Sequence, residues 1–171
     1  VNIFRRGIFL LALGLGGAWI LRTFLYEPAI VESASMEPTL QEGVHYIVNR
    51  WVYHVHVPLR GEIISFISPI DHETRYIKRV IAVPNDEIQL KNKTVFLNGQ
   101  AQEESYVMYQ RAKEHLDGDN LGPLKVPANT VFVLGDNRDV SYDSTSWLDP
   151  QTKQHLYFLP YENIKGRVVK L

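Results

Sequence analysis

The chain has 171 residues, a formal net charge of −1 and no cysteine. That length fits one ordinary domain with an anchor attached. A charge near zero leaves no electrostatic footprint for nucleic acid and no acidic tail. Without cysteine there is no disulfide framework, no thiol nucleophile and no cysteine-ligated metal.

The first predicted element is a helix. Arg5-Arg6 precede an apolar run from Ile8 to Ile20, and Phe24 and Leu25 extend it past Arg22. From Ile8 to Leu25 such a helix would be roughly 27 Å long at 1.5 Å per residue, close to a hydrocarbon core of ~30 Å. Arg22 would snorkel to the far interface. Two arginines on the near side place the N-terminus in the cytoplasm and everything after Leu25 outside. The expectation is an uncleaved, single-pass membrane anchor over residues 1–27 and a domain over residues 28–171. A cleaved signal peptide, with Gly16 and Ala18 as its small residues, and a buried core helix are the other readings. The chain opens on Val1, so a longer N-terminus also stays open.

Glu27-Pro28 ends the helix. Beyond it the patterns read mostly as strands. Val44 to Val48 is rich in β-formers, and Arg60-Gly61-Glu62 is a turn into Ile63–Ile67. Tyr76 to Val83 is a third strand, stopped by Pro84-Asn85-Asp86. Glu87 to Leu90 and Thr94 to Leu97 flank Lys91-Asn92-Lys93 as a hairpin, with a second turn at Asn98-Gly99. Gln100 to Asn129 reads as a long polar excursion with one short helical stretch around Tyr109 to His115. Val131 to Leu134 is a short apolar strand aimed at Gly135, and Asn163 to Leu171 returns to alternation. Many short strands between turn residues predict a mostly β domain. His54 and His56 would share a strand face and make half a metal site, with no obvious third ligand. The aromatic and apolar residues around them, Trp51 to Val57, suit a bilayer interface.

Three segments carry candidate chemistry. Ser33-Ala34-Ser35-Met36-Glu37-Pro38-Thr39-Leu40 offers a serine, a weak nucleophile until a base removes its proton. Lys78 lies in the β-prone run Tyr76 to Ile81. Alternation puts it on one face with Tyr76 and Val80, and puts Ile77, Arg79 and Ile81 on the other. Burial among apolar neighbours lowers a lysine pKa toward the range a general base needs. Arg79 cannot lose its proton and suits a structural ion pair. Gly135-Asp136-Asn137-Arg138-Asp139-Val140-Ser141-Tyr142-Asp143-Ser144 should form a rigid, hydrogen-bonded turn able to hold hydroxyl and carboxylate groups around a base. An acidic calcium loop fits it poorly, because the spacing is not that of an EF-hand and Arg138 sits in the middle. A serine, a strand lysine and this turn read together as a serine–lysine hydrolase held at a membrane.

These three segments, in this order and behind an apolar N-terminal run, resemble type I signal peptidase. Arg60-Gly61-Glu62 resembles the family's Arg-Gly-Asp turn, and Pro160 to Gly166 its closing Pro-x-x-x-Ile-x-Gly pattern. The resemblance covers nearly the whole chain from Arg22 onward. It implies a signal-peptidase-like antiparallel β-sheet domain without metal or cofactor. The implied activity is a membrane-bound endopeptidase that removes signal peptides from exported preproteins on the extracytoplasmic side of a bacterial inner membrane. Ser35 would be the nucleophile and Lys78 the general base. Ser33 would share the oxyanion hole with the backbone N–H of Ser35. Ser141 would orient Lys78, and Asp143 would support that arrangement. Val31, Met36, Leu40, Tyr76 and Ile77 would line the pockets that read the substrate.

The chain departs from the family pattern at several positions. Glu32 stands where proline is usual, Ala34, Ala82, Asn85 and Leu148 where glycine is usual, Val140 for asparagine and Thr145 for arginine. The last removes an ion-pair partner expected for Asp143. The rival readings are another serine–lysine protease of similar fold, such as a self-cleaving repressor, and a catalytically idle, membrane-tethered β module.

Overall fold

The structure, a computed structural model, describes residues 2–169. The side chains of residues 2, 3 and 19–24 lie outside that description, so the interface role read for Arg22 does too. A 24-residue helix, α1 (Asn2–Leu25), opens the chain. Arg5, Arg6 and the glycines at 7, 14, 16 and 17 dilute its apolar character. Among the described residues no helix is long and apolar enough to cross a membrane. The helix is therefore present where expected, but without the apolarity of the expected span.

Eleven strands follow: β1 (Tyr26–Ile30), β2 (His45–Asn49), β3 (Ile63–Ile67), β4 (Arg75–Ala82), β5 (Glu87–Lys91), β6 (Thr94–Leu97), β7 (Gln100–Ala101), β8 (Leu121–Lys125), β9 (Thr130–Leu134), β10 (Leu159–Pro160) and β11 (Ile164–Val169). Seven form one sheet in the order β1-β2-β11-β3-β4-β9-β10, and four form a second in the order β7-β6-β5-β8. Every neighbouring pair is antiparallel. The mostly β, antiparallel expectation holds.

The core explains the strand patterns. Ile81, Ala82, Phe132 and Leu134 of the larger sheet pack against Ile88, Leu90, Val95 and Leu97 of the smaller one. Val80, Val131 and Val133 point the other way, into a cluster with Ile64, Phe66, Trp147 and Leu159. Both faces of β9 are thus covered, which is why Val131–Leu134 reads as an unbroken apolar run. The second half of β4 is buried on both faces for the same reason.

Both short hairpins form as the Asn and Gly signals predict. Asn92 and Lys93 take φ of 47° and 69°, and Asn98 and Gly99 take 53° and 80°. Two consecutive left-handed residues match the right-handed twist of the strands they join. Three expectations need correction. Tyr109–His115 forms turns, not a helix. Val52–His54 is a single 3₁₀ turn, so His54 and His56 share no strand face. Residues 121–125, inside the expected irregular excursion Gln100–Asn129, form strand β8, and β1 runs through the Glu27-Pro28 helix stop; Pro123 and Pro28 lie within these two strands. Each lies at the edge of its sheet, where a missing N–H costs no ladder bond.

Candidate active site

Ser35 sits in a 3₁₀ turn, Ala34–Met36, entered from an extended Ser33 and left through an extended Glu37. Two apolar side chains pin that turn. Met36 and Leu40 are fully buried and pack with Val31, Tyr46, Val48 and Val168. Glu37 N–H donates to the Ala34 carbonyl and Leu40 N–H to the Met36 carbonyl. The apolar residues flanking the serine therefore act as its mount, and burying each contributes about 1.5–3 kcal/mol.

Lys78 arrives from the middle of β4. It pairs with Ile64 of β3 and leaves Tyr76 and Val80 on its own face. The side chain is 2% exposed. Nζ lies 2.7 Å from Ser35 Oγ and 5.5 Å from the centre of the Tyr76 ring. Burial lowers its pKa to about 8, against the opposing pull of the Asp143 and Asp136 charges. As an ammonium, Lys78 donates to Ser35 Oγ. As a neutral amine it presents a lone pair to the serine proton along the same line. Ser33 Oγ stands 3.1 Å from Ser35 Oγ, on the open side of the site.

The Gly135–Ser144 segment lies against this pair. Gly135 is needed because a Cβ there would overlap Ser141 Oγ and the Ser35 carbonyl oxygen. Asn137 holds the serine turn twice: its N–H donates to the Ser35 carbonyl at 3.1 Å, and its Nδ2 to the Ala34 carbonyl at 3.1 Å. Asp136 is fully buried and takes a bidentate pair from Arg79, at 2.8 Å and 2.6 Å. The Thr39 hydroxyl donates to the same carboxylate. One aspartate thereby couples the serine loop to the strand residue next to Lys78. The alternation of β4 anticipated an ion pair for Arg79. Its partner lies 57 residues downstream, and no local signal names it.

Asp143 accepts from Gly135 N–H at 2.9 Å through one oxygen. The other accepts from the Thr145 N–H at 3.1 Å and hydroxyl at 2.9 Å. Where an arginine partner for Asp143 is missing, the Thr145 hydroxyl fills the place as a donor without a charge of its own. Ser141 Oγ is buried and has no hydrogen-bond partner among the described residues. It touches the base of the Gly135 turn but makes no bond to Lys78, so the orienting contact expected of it is not formed here.

A cleft of about 420 Å³ opens beside the pair, walled by Ala29–Ser33 on one side and Thr74–Lys78 on the other. Val31, Met36, Tyr76 and Ile77 line it. Leu40, expected with them, is buried beside Met36 beneath the cleft. Both walls are strand edges. Among the described residues β1 pairs only with β2. β4 pairs with β3 from Arg75 onward, but with β9 only from Arg79, so the other edge of Arg75–Lys78 faces the cleft.

Residues 4–171 match a family model described as signal peptidase, peptidase S26. Signal peptidase I P of Bacillus subtilis subsp. natto is 37% identical over 158 residues, covering 86% of this chain and 84% of that one. Signal peptidase I of Bacillus licheniformis is 35% identical, with the same two coverages of 86% and 84%. Among solved structures, a signal peptidase I from Enterococcus faecalis V583 superposes with a TM-score of 0.51 at 26% identity, covering 67% of this chain and 98% of that one. The chain belongs to the signal peptidase family, peptidase S26.

Proposed function

We propose that this enzyme removes N-terminal signal peptides from exported preproteins through a Ser35–Lys78 dyad. The observation that carries the reading is the 2.7 Å contact between Lys78 Nζ and Ser35 Oγ inside an apolar wall. Ser35 Oγ attacks the scissile carbonyl while neutral Lys78 takes its proton. The oxyanion is held by the Ser35 backbone N–H and the Ser33 hydroxyl. Lys78 then protonates the leaving amine, and the mature protein departs. A water that gives its proton to Lys78 hydrolyses the acyl-enzyme and releases the signal peptide. The Asp143 carboxylate, held by Gly135 and Thr145, tunes the Lys78 base through its charge.

The substrate enters as an added strand between the free edges of β1 and β4. Its first and third residues before the cut point into the apolar wall of Val31, Met36, Tyr76 and Ile77, which suits small side chains. Residues 28–171 do this chemistry. Residues 1–27 hold the enzyme at the bilayer with the catalytic domain on the extracytoplasmic side. The support is the exposed apolar surface of α1, where Phe9, Leu10, Leu11, Leu13 and Leu15 are each more than half exposed. An alkaline wash that releases the full chain from membranes would remove that part of the reading.

The test of the chemistry is a serine-directed acylating probe applied to the full chain alongside a preprotein cleavage assay. Labelling and cleavage should both vanish in Ser35→Ala while the fold persists by circular dichroism. Cleavage by Ser35→Ala above a catalyst-free control would overturn the nucleophile. Absence of labelling and cleavage in the unaltered chain would favour an idle binding module.

A further inference from the structure

One carboxylate on the cleft wall has no role in the chemistry above. Glu32 lines the cleft directly before Ser33. Its side chain is exposed. Among the described residues its carboxylate has no ion-pair partner within 4 Å. The cation opposite it on the cleft wall, Arg75, is already engaged, with Nη1 2.6 Å from Glu27 Oε1. The exposed rim of the cleft therefore presents a carboxylate without an ion-pair partner, three residues before Ser35 and apart from the buried Lys78.

Alternation says which substrate residue meets that charge. Val31 is buried, and its N–H and carbonyl bond to Val44 and Gly43 on the β2 side. Ile30 and Glu32 face the opposite way, and Ile30 is 51% exposed. A strand laid along this edge places its first and third residues before the cut on the Val31 face and its second on the Ile30–Glu32 face. An exposed aliphatic side chain next to a free carboxylate suits an amphipathic cation, with its methylene stem on Ile30 and its charged head at Glu32. We infer that Ile30 and Glu32 form a shallow subsite for the second residue before the cut, favouring a basic side chain there and opposing an acidic one. This rests on the peptidase reading of the same cleft.

The test uses three peptides that differ only at that position, bearing Lys, Gln or Asp, with the full chain as enzyme. The kcat/KM for the Lys peptide should exceed that for the Asp peptide by about fivefold, the scale of an exposed charge pair. The ratio should shrink toward one in ~1 M salt, where the screening length falls to ~3 Å. Glu32→Gln should bring the ratio close to one, and Glu32→Lys should invert it. Ile30→Ser should weaken the Lys preference while leaving the Asp penalty. Equal rates for all three peptides, or a ratio unmoved by Glu32→Gln, would overturn the subsite while leaving the peptidase reading intact. No cleavage even of the Gln peptide would overturn both.

Discussion

Two lysines of this protein stand over tyrosine rings in nearly the same way, yet titrate in opposite directions. Lys78 Nζ is 5.5 Å from the Tyr76 ring centre, and Lys93 Nζ is 5.1 Å from that of Tyr109. Burial pulls both ammonium groups down. At Lys78 it dominates, and the pKa falls to about 8. At Lys93 the hydrogen bond to Asp139, together with the Asp119 and Asp139 charges, outweighs it, and the pKa rises. The aspartates near Lys78 are no fewer, but they are occupied. Asp136 is bound by Arg79 and Thr39, and Asp143 by Gly135 and Thr145. A lysine base is made here by denying it a carboxylate of its own, and a structural lysine by supplying two.

The strongest test of that contrast is exchange of each lysine for arginine. Lys78→Arg keeps the charge but cannot release a proton, so preprotein cleavage should fall by on the order of 10⁴-fold or more. Lys93→Arg, which needs only to stay charged, should retain activity within about tenfold. An active Lys78→Arg enzyme would remove the lysine from the mechanism.

Replacement by methionine should separate the two in stability. A Lys78 pKa of about 8 in the folded chain, against 10.5 unfolded, means that only the unfolded chain binds that proton between those values. The cost is full below pH 8 and is relieved as pH rises to 10.5. It amounts to about 3 kcal/mol at ~1.4 kcal/mol per unit. Lys78→Met should therefore raise the unfolding free energy at neutral pH by about 1–3 kcal/mol, after the lost bond to Ser35 is deducted. Lys93→Met should lower it by about 2–4 kcal/mol, because it leaves Asp139 and Asp119 without their cation. Denaturant unfolding of both variants checks this, and equal signs would break the comparison.

Activity against pH sharpens it further. The rising limb of kcat/KM should fall near pH 8, well below an ordinary lysine. Asp143→Asn removes a charge that raises the Lys78 pKa, so the limb should move to lower pH. A limb that stays in place would show that the Asp143 charge does not reach the base. The smallest effect belongs to Thr145→Val, which removes one of the hydrogen bonds that the Asp143 carboxylate accepts. It should cost about 1 kcal/mol in stability and less than tenfold in turnover.

Much of the fold was legible because its signals are local. The period-2 pattern of β4, the Asn-rich turns on either side of β6 and the unbroken apolar run of β9 each report what lies directly above and below a residue. The edge strands β1 and β8 were not legible, since Pro28 and Pro123 are forbidden in a central strand and harmless at an edge. Only the strand order tells an edge from a centre. The helical reading of Tyr109–His115 failed because Tyr109 and Ala112 are too few nonpolar positions to make an apolar stripe, and Asp139 takes the Arg111 N–H at 2.6 Å in a turn instead.

For the site, the kinds of group present are written in the local sequence: a serine directly before Met36, a lysine sharing a strand face with Tyr76 and Val80, and a turn rich in carboxylates and hydroxyls. That local sequence determined that Lys78 and Arg79 face opposite ways, because strand geometry depends only on the residues next to one another. Tertiary structure decided which groups meet. Ser35 and Lys78 are 43 residues apart. Asp136 goes to Arg79 rather than Lys78, Thr145 serves Asp143 through a hydroxyl, Ser141 lies behind Gly135 without touching the base, and Leu40 sits under the cleft instead of in its wall. Such choices follow from strand register and loop closure across the whole chain. A carboxylate can satisfy either of two neighbouring cations equally well on paper, and only the packed sheet brings one of them within 3 Å.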